Sequence, residues 1–256
     1  MQIQPLNDIV RVDMIIQLDA KGLEIVCGAY LSQDEVLMKE LIDGIDIHSR
    51  NQEVLGLPAG KEGRLVAKIF VFRLMYGGGA WGYANDPAFS WISSKKDFWQ
   101  DKIDEYYSKY KGFANWHNTI VVKASREGKL VMPTGRVYHF PLNRNKMTGE
   151  LEVPERAIKN YPVQGLGADV MAVARVSFFK RWKDIGDIKG VLCNTVHDSI
   201  VCDIQSSELA RVRDLCHSVF RDLPSNFGRV FGKRFNLPLH CEVLGGDNMT
   251  DMKEIL

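Results

Sequence analysis

Apolar positions fall into two patterns along the chain: short β-branched runs bounded by turn residues, and longer stretches repeating at helical spacing. Met14 to Ala20 predicts a buried strand that delivers Asp19 near its C-terminal end, and Leu23 to Leu31 predicts a helix after it. Gln33 to Ile42 and His48 to Leu55 predict two short helices, with Gly44 and Gly56-Leu57-Pro58 as breakers. The long helical stretch from Arg64 to Gly77 ends at Tyr76-Gly77-Gly78-Gly79, so four helices follow the first strand. Trp81 to Ser94 reads as a loop with a short helical turn, and Lys95 to Glu127 as a long helix with a break near Gly112.

Farther on, Leu130 to Phe140 has a turn signal between two β-prone runs and predicts a hairpin exposed to a polar partner. Lys123, Arg126, Lys129, Arg136, Arg144 and Lys146 make that neighbourhood basic. Pro154 opens a helical region to Trp182 that is bent or interrupted near Pro162. Val191 to Val196 and Ile200 to Ile204 flank His197-Asp198-Ser199, the pattern of a hairpin with an acid at its tip. Ser206 to Arg221 predicts a helix capped by Ser206 or Ser207, and Leu237 to Leu244 a last strand. Together these elements predict an α+β fold.

Composition narrows this little. With 256 residues and 45% hydrophobic content the chain can bury a substantial core. A formal charge of +1 gives no bulk sign of a nucleic-acid partner, so one would need a local basic surface. Five widely spaced cysteines, without a C-x-x-C pair, support neither a disulfide framework nor a zinc knuckle and fit a reducing cytoplasm. The N-terminus lacks a signal-peptide pattern and no segment has the apolar length of a membrane span, so a cytoplasmic location is expected.

Candidate chemistry begins with Arg64, Lys68, Phe72 and Tyr76, four residues apart and hence on one helix face. Cations near a helix N-terminus suit phosphate, and the aromatic rings beyond them suit a base or sugar. The same spacing also fits an amphipathic core helix with snorkelling basic residues. Asp19 and Asp198 would meet if their strands share one antiparallel sheet. Two such carboxylates repel unless they share cations, for which magnesium, a hard ion, is the natural choice.

At this point the chain resembles the family A DNA polymerases, almost from end to end. Leu18-Asp19-Ala20-Lys21-Gly22-Leu23-Glu24 resembles the family's first palm motif, Arg64 to Gly77 its fingers motif, and Val196-His197-Asp198-Ser199 its last palm motif. Asp46-Ile47-His48 resembles its triphosphate-contacting segment, and Arg156 through Asn160 and Pro162-Val163-Gln164-Gly165 the segment that touches template and primer. The resemblance implies an antiparallel palm sheet carrying the catalytic acids and a helical fingers subdomain, divided as palm 1–45, fingers 46–127 and hairpin with remaining palm 128–256. It implies template-directed DNA synthesis, with primer-template DNA and dNTP as partners and two Mg2+ ions held by Asp19, Asp198 and the carbonyl of Ala20. Arg64, Lys68 and His48 would then grip the triphosphate, while Phe72 and Tyr76 pack against the sugar and templating pair. Glu24 would exclude a ribose 2′-hydroxyl. Arg156, Asn160, Gln164 and His197 would contact DNA, the last two through minor-groove acceptors shared by all correct pairs.

Three positions depart from the family pattern. Gly22 replaces Gln, removing a nucleotide hydrogen bond; Arg73 replaces Gly, placing a cation able to add a phosphate or template contact; Ser199 replaces a Glu after the catalytic acid. The His-Asp-Ser form also occurs in single-subunit RNA polymerases, an alternative disfavoured by Glu24, Phe72 and Gln164-Gly165. A non-catalytic DNA-binding relative is disfavoured by the presence of both aspartates. Because Met1 stands only eighteen residues before Asp19, thumb and exonuclease are expected to be absent and supplied by a second polypeptide, as in a split, phage-type polymerase. Asp13, Asp203 and the acids from Asp101 to Glu105 match no motif and are expected to be solvated surface charge.

Overall fold

Ile16, Leu18 and Ala20 are buried while Ile15, Gln17 and Asp19 are half-buried, the alternation of a strand covered on one face. They belong to strand β1 (Met14–Ala20) of a computed structural model that describes residues 13–144 and 149–255. The N-terminal residues inspected for a leader, and Lys146, lie outside the described residues. Helices α1 (Leu23–Ser32), α2 (Glu35–Ile42), α3 (Ile47–Val54) and α4 (Lys61–Met75) follow, then α5 (Ala80–Ala84), α6 (Pro87–Ser90), α7 (Lys96–Lys109) and α8 (Lys111–Glu127). Two short hairpins, β2 (Lys129–Val131) with β3 (Val137–His139) and β4 (Asn143–Arg144) with β5 (Leu151–Glu152), precede the long α9 (Glu155–Ile185). The chain continues through β6 (Gly190–Val196), β7 (Ser199–Ile204), α10 (Leu209–Phe231), β8 (Cys241–Gly246) and β9 (Lys253–Glu254). Among the described residues, no helix is long and apolar enough to cross a membrane.

Two compact units result, one of Glu24–Leu166 and the other of the chain through Leu23 together with everything from Gly167 onward. The latter is built on a five-stranded sheet in the order β6-β7-β1-β8-β9, antiparallel throughout. Val212, Cys216, Val219, Phe220, Leu223 and Phe227 recur at helical spacing and form the buried face of α10. Arg181 of α9 reaches Asp222 of α10 at 2.8 Å, and Asn226 donates to Ser177.

The unit Glu24–Leu166 is helical, with a core of interlocked rings. Phe70 on α4 meets Tyr83 at 4.9 Å, Tyr83 meets Phe89 at 5.3 Å and Phe89 meets Trp99 edge-on at 5.2 Å. The buried Tyr83 hydroxyl donates to the Phe70 carbonyl at 2.9 Å, which keeps its burial from costing a hydrogen bond.

Several expected boundaries shift for identifiable reasons. The segment expected as a loop at Trp81 to Ser94 holds two short helices, because Asp86 caps α6 through the Ala88 N–H and Pro87 occupies its first position. The long helix breaks at Tyr110 rather than Gly112. Near Pro162, where a bend or an interruption was expected, α9 continues without interruption; Pro162 and Val163 are buried in it, and packing outweighs the lost hydrogen bond. Similarly, α10 continues past Arg221 and through Pro224 to Phe231, after a 3-10 turn at Ser206–Glu208. The strand expected from Leu237 begins at Cys241, and β9 follows it. Asp13 is exposed, as expected of surface charge, and also accepts from the Ser206 backbone N–H at 2.7 Å.

Candidate active site

The first cluster forms where β1 runs beside the β6–β7 hairpin. Asp19 stands opposite Ser199 in the ladder, and the Ala20 N–H donates to the Asp198 carbonyl at 3.1 Å. Antiparallel pairing therefore puts both aspartates at one corner of the sheet, each half-buried. The hairpin turns through His197 and Asp198 alone, and His197 takes a left-handed φ of 49°, a conformation that non-glycine residues adopt at a cost. Its ring is exposed beside the acids. Ser199 is buried and its hydroxyl donates to the Val196 carbonyl at 2.9 Å, so the residue replacing the family's Glu helps hold the turn.

Hard oxygen donors at this corner, two carboxylates and the Ala20 carbonyl, fit magnesium better than a soft or tightly caged ion. Among the described residues no group of three or more His, Cys, Asp or Glu is arranged to hold a metal ion. An ion here would complete its shell from water and substrate oxygens, as magnesium commonly does.

The second cluster belongs to the helical unit. Arg64 and Lys68 are exposed on α4, and Phe72 and Tyr76 half-buried below them, in the predicted order on one face. Asp46 caps α3 through the His48 and Ser49 N–H groups, and its carboxylate also takes Arg64 at 2.8 Å. Arg64 Nε lies 3.1 Å from the Ser49 hydroxyl. No sequence spacing announces this pair, whose members are eighteen residues apart on different helices. His48 is buried, with its ring 5.6 Å from Phe72, and the Lys68 ammonium lies 5.7 Å from the same ring. Burial first, then the charge of Arg64, lowers the His48 pKa to about 4. At neutral pH His48 is thus an uncharged hydrogen-bonding group, and the positive charge of this face comes from Arg64 and Lys68.

At the end of α4, Tyr76 hydrogen-bonds Gln164, and its hydroxyl pKa is pushed up to about 12 by burial and then by the Glu24 carboxylate. Glu24, Tyr76 and Gln164, far apart in sequence, are thereby neighbours. Arg156, Asn160 and Gln164 follow at four-residue intervals on one face of α9, with Arg156 and Gln164 exposed. Gly165 is required by packing: a Cβ there would fall 1.6 Å from the Tyr138 hydroxyl of the β2–β3 hairpin. Gly22 has φ +59°, which suits glycine better than the family's Gln.

Arg73, a cation able to add a phosphate or template contact, is engaged inside the helical unit. Its guanidinium pairs with Asp86 and lies 4.9 Å from the centre of the Phe89 ring. It fastens α4 to α6.

The chain is similar to known proteins along most of its length. The chain is 26% identical over 213 residues to DNA polymerase I of Rhizobium leguminosarum, an alignment covering 81% of this chain and 20% of that protein. It is 25% identical over 245 residues to the thermostable DNA polymerase I of Thermus aquaticus, covering 94% of this chain and 27% of the relative. The chain thus spans roughly a quarter of these relatives' lengths. A solved structure of the POL domain of Pol1 from M. smegmatis, in complex with DNA primer-template and dNTP, superposes with a TM-score of 0.76 at 22% identity, covering 93% of this chain and 40% of that one. The sequence profile of DNA polymerase family A matches residues 9–251, nearly the whole chain, which therefore belongs to that family.

Proposed function

We propose that this chain is the catalytic portion of a DNA-directed DNA polymerase, which adds deoxynucleotides to a primer 3′-hydroxyl under the direction of a DNA template. The observation that carries this reading is the register of β1 on β7, which sets Asp19 and Asp198 side by side in a chain of this family. Asp19, Asp198 and the Ala20 carbonyl would hold two magnesium ions. When bound, these ions activate the primer hydroxyl as a nucleophile and neutralise charge on the leaving pyrophosphate.

In the reaction a bond forms between the primer 3′ oxygen and the α-phosphorus, and the bond from that phosphorus to the β-phosphate bridge breaks. Arg64 and Lys68 bind the triphosphate and stabilise negative charge that develops on the departing phosphates. His48, neutral and buried, offers a hydrogen bond to the same phosphates without adding charge. Phe72 packs against the nucleotide, and Glu24 with Tyr76 closes the space that a ribose 2′-hydroxyl would need. Arg156 and Asn160 hold the DNA backbone, while Gln164 and His197 meet minor-groove acceptors common to every correct base pair.

Primer extension tests the reading. With Mg2+ and a primed DNA template, the protein should lengthen a labelled primer using dNTPs and discriminate against ribonucleotides. Asp19→Asn and Asp198→Asn should each lower the rate on the order of a thousandfold. Arg64→Ala should mainly raise the KM for dNTP, on the order of tenfold or more. Unchanged extension by Asp198→Asn would overturn the assignment.

A further inference from the structure

Asp19 has a second cross-strand neighbour besides Ser199. In the β1–β8 ladder it stands opposite Glu242, and residues directly opposite in an antiparallel pair project from the same face. Lys21, two residues on, continues that face, and its N–H extends the ladder by bonding the His240 carbonyl at 2.9 Å. Its ammonium lies 3.1 Å from Glu242 and 3.7 Å from Glu254 of β9. The carboxylate opposite Asp19 is therefore drawn to the ammonium at the strand end.

We infer that Lys21 is a positioning residue that holds and neutralises Glu242, keeping a third carboxylate from joining Asp19 and Asp198 on their metal ions. The inference rests on the reading of those two aspartates as magnesium ligands. A third carboxylate on the ions would tighten their binding and occupy coordination positions that water and phosphate oxygens must fill. Two acids suffice to hold the ions, and leave them open to the nucleotide. The ammonium also offsets negative charge at this sheet corner, so its removal raises the attraction for any divalent cation there. Lys21 touches neither substrate nor metal in this scheme; it acts through Glu242.

The probe is Mn2+, titrated by electron paramagnetic resonance into the whole chain without DNA or nucleotide, with folding followed by circular dichroism. Lys21→Gln should bind Mn2+ more tightly, on the order of threefold at low ionic strength, with the gap shrinking as salt is added. Lys21→Arg should match wild type, and the double substitution Lys21→Gln with Glu242→Gln should return the affinity toward it. A folded Lys21→Gln protein with unchanged or weakened Mn2+ affinity overturns the inference. So does a double variant as tight as Lys21→Gln alone, because the effect would then not pass through Glu242. Asp19→Asn and Asp198→Asn separate this from the parent reading: both should lose Mn2+ binding, and if both retain it, the metal assignment itself fails.

Discussion

His117 on α8 is buried, with its ring 4.4 Å from that of Phe113 and its Nδ1 3.0 Å from the Tyr107 hydroxyl. Burial, and then the charge of Lys159, lowers its pKa to about 3; His48 is lowered for related reasons to about 4. Both rings are neutral when folded, whereas in the unfolded chain each takes a proton near its ordinary value of 6.5. Between pH 6.5 and 4 the unfolded state thus binds more protons, and stability falls as the pH falls through that window. Each histidine should contribute on the order of 2 kcal/mol to the loss. Melting temperatures of the wild type and His117→Gln, recorded from pH 7 to 4, check this. The variant should start less stable and decline less steeply; parallel curves would show that His117 does not drive the acid limb. Arg73 shows the same coupling of residue to surroundings. Read alone it was a cation on a nucleotide-facing helix, yet its partners Asp86 and Phe89 make it a fastening between helices.

Helix ends decide how the elements of the helical unit join. Asp34 is almost fully buried, and one carboxylate oxygen accepts the Leu37 N–H at 2.8 Å while the other accepts the Phe113 N–H at 3.1 Å. One side chain therefore caps both α2 and α8. This explains Gly112, where a Cβ would lie 2.8 Å from the Asp34 Cα and push the cap away. Glycine is needed there for close approach, and the break it seemed to mark falls instead at Tyr110, whose φ of −106° and ψ of 68° leave the helical region. Tyr110 in turn donates to Glu40 of α2 at 2.7 Å, and Lys109 pairs with the same acid at 2.9 Å. Asp34→Ala should cost about 2–4 kcal/mol, since it strips two N–H groups of their acceptor in a buried place. Denaturant unfolding measures this directly. A loss under about 0.5 kcal/mol, the range of an ordinary surface substitution, would show that the double cap contributes little.

At the scale of the whole chain, the strand bearing Asp19 and the hairpin bearing Asp198 were legible because β-branched runs and turn residues mark them locally. Their side-by-side register was legible only once the chain was compared with a family pattern. The continuation of α9 through Pro162 was not legible, since a proline's local effect is to bend or break a helix and here the burial of Pro162 and Val163 prevails. Pairs such as Arg64 with Asp46, or Lys21 with Glu242, depend on the fold and carry no periodic signature. The contact pattern gives each unit its own core, around Phe220 and the sheet in one and around Phe70 and its ring partners in the other. Separate cores should respond separately to damage. Phe220→Ala and Phe70→Ala each leave a cavity where a fully buried ring stood, and each should cost about 3–5 kcal/mol. Native-state hydrogen exchange distinguishes them by place. Phe220→Ala should lower protection in β1, β7, β8 and α10 with α4, α7 and α8 largely spared, and Phe70→Ala the reverse. Uniform loss across both units from either substitution would show a single cooperative block, in which the sheet bearing the two aspartates and helix α4 open together.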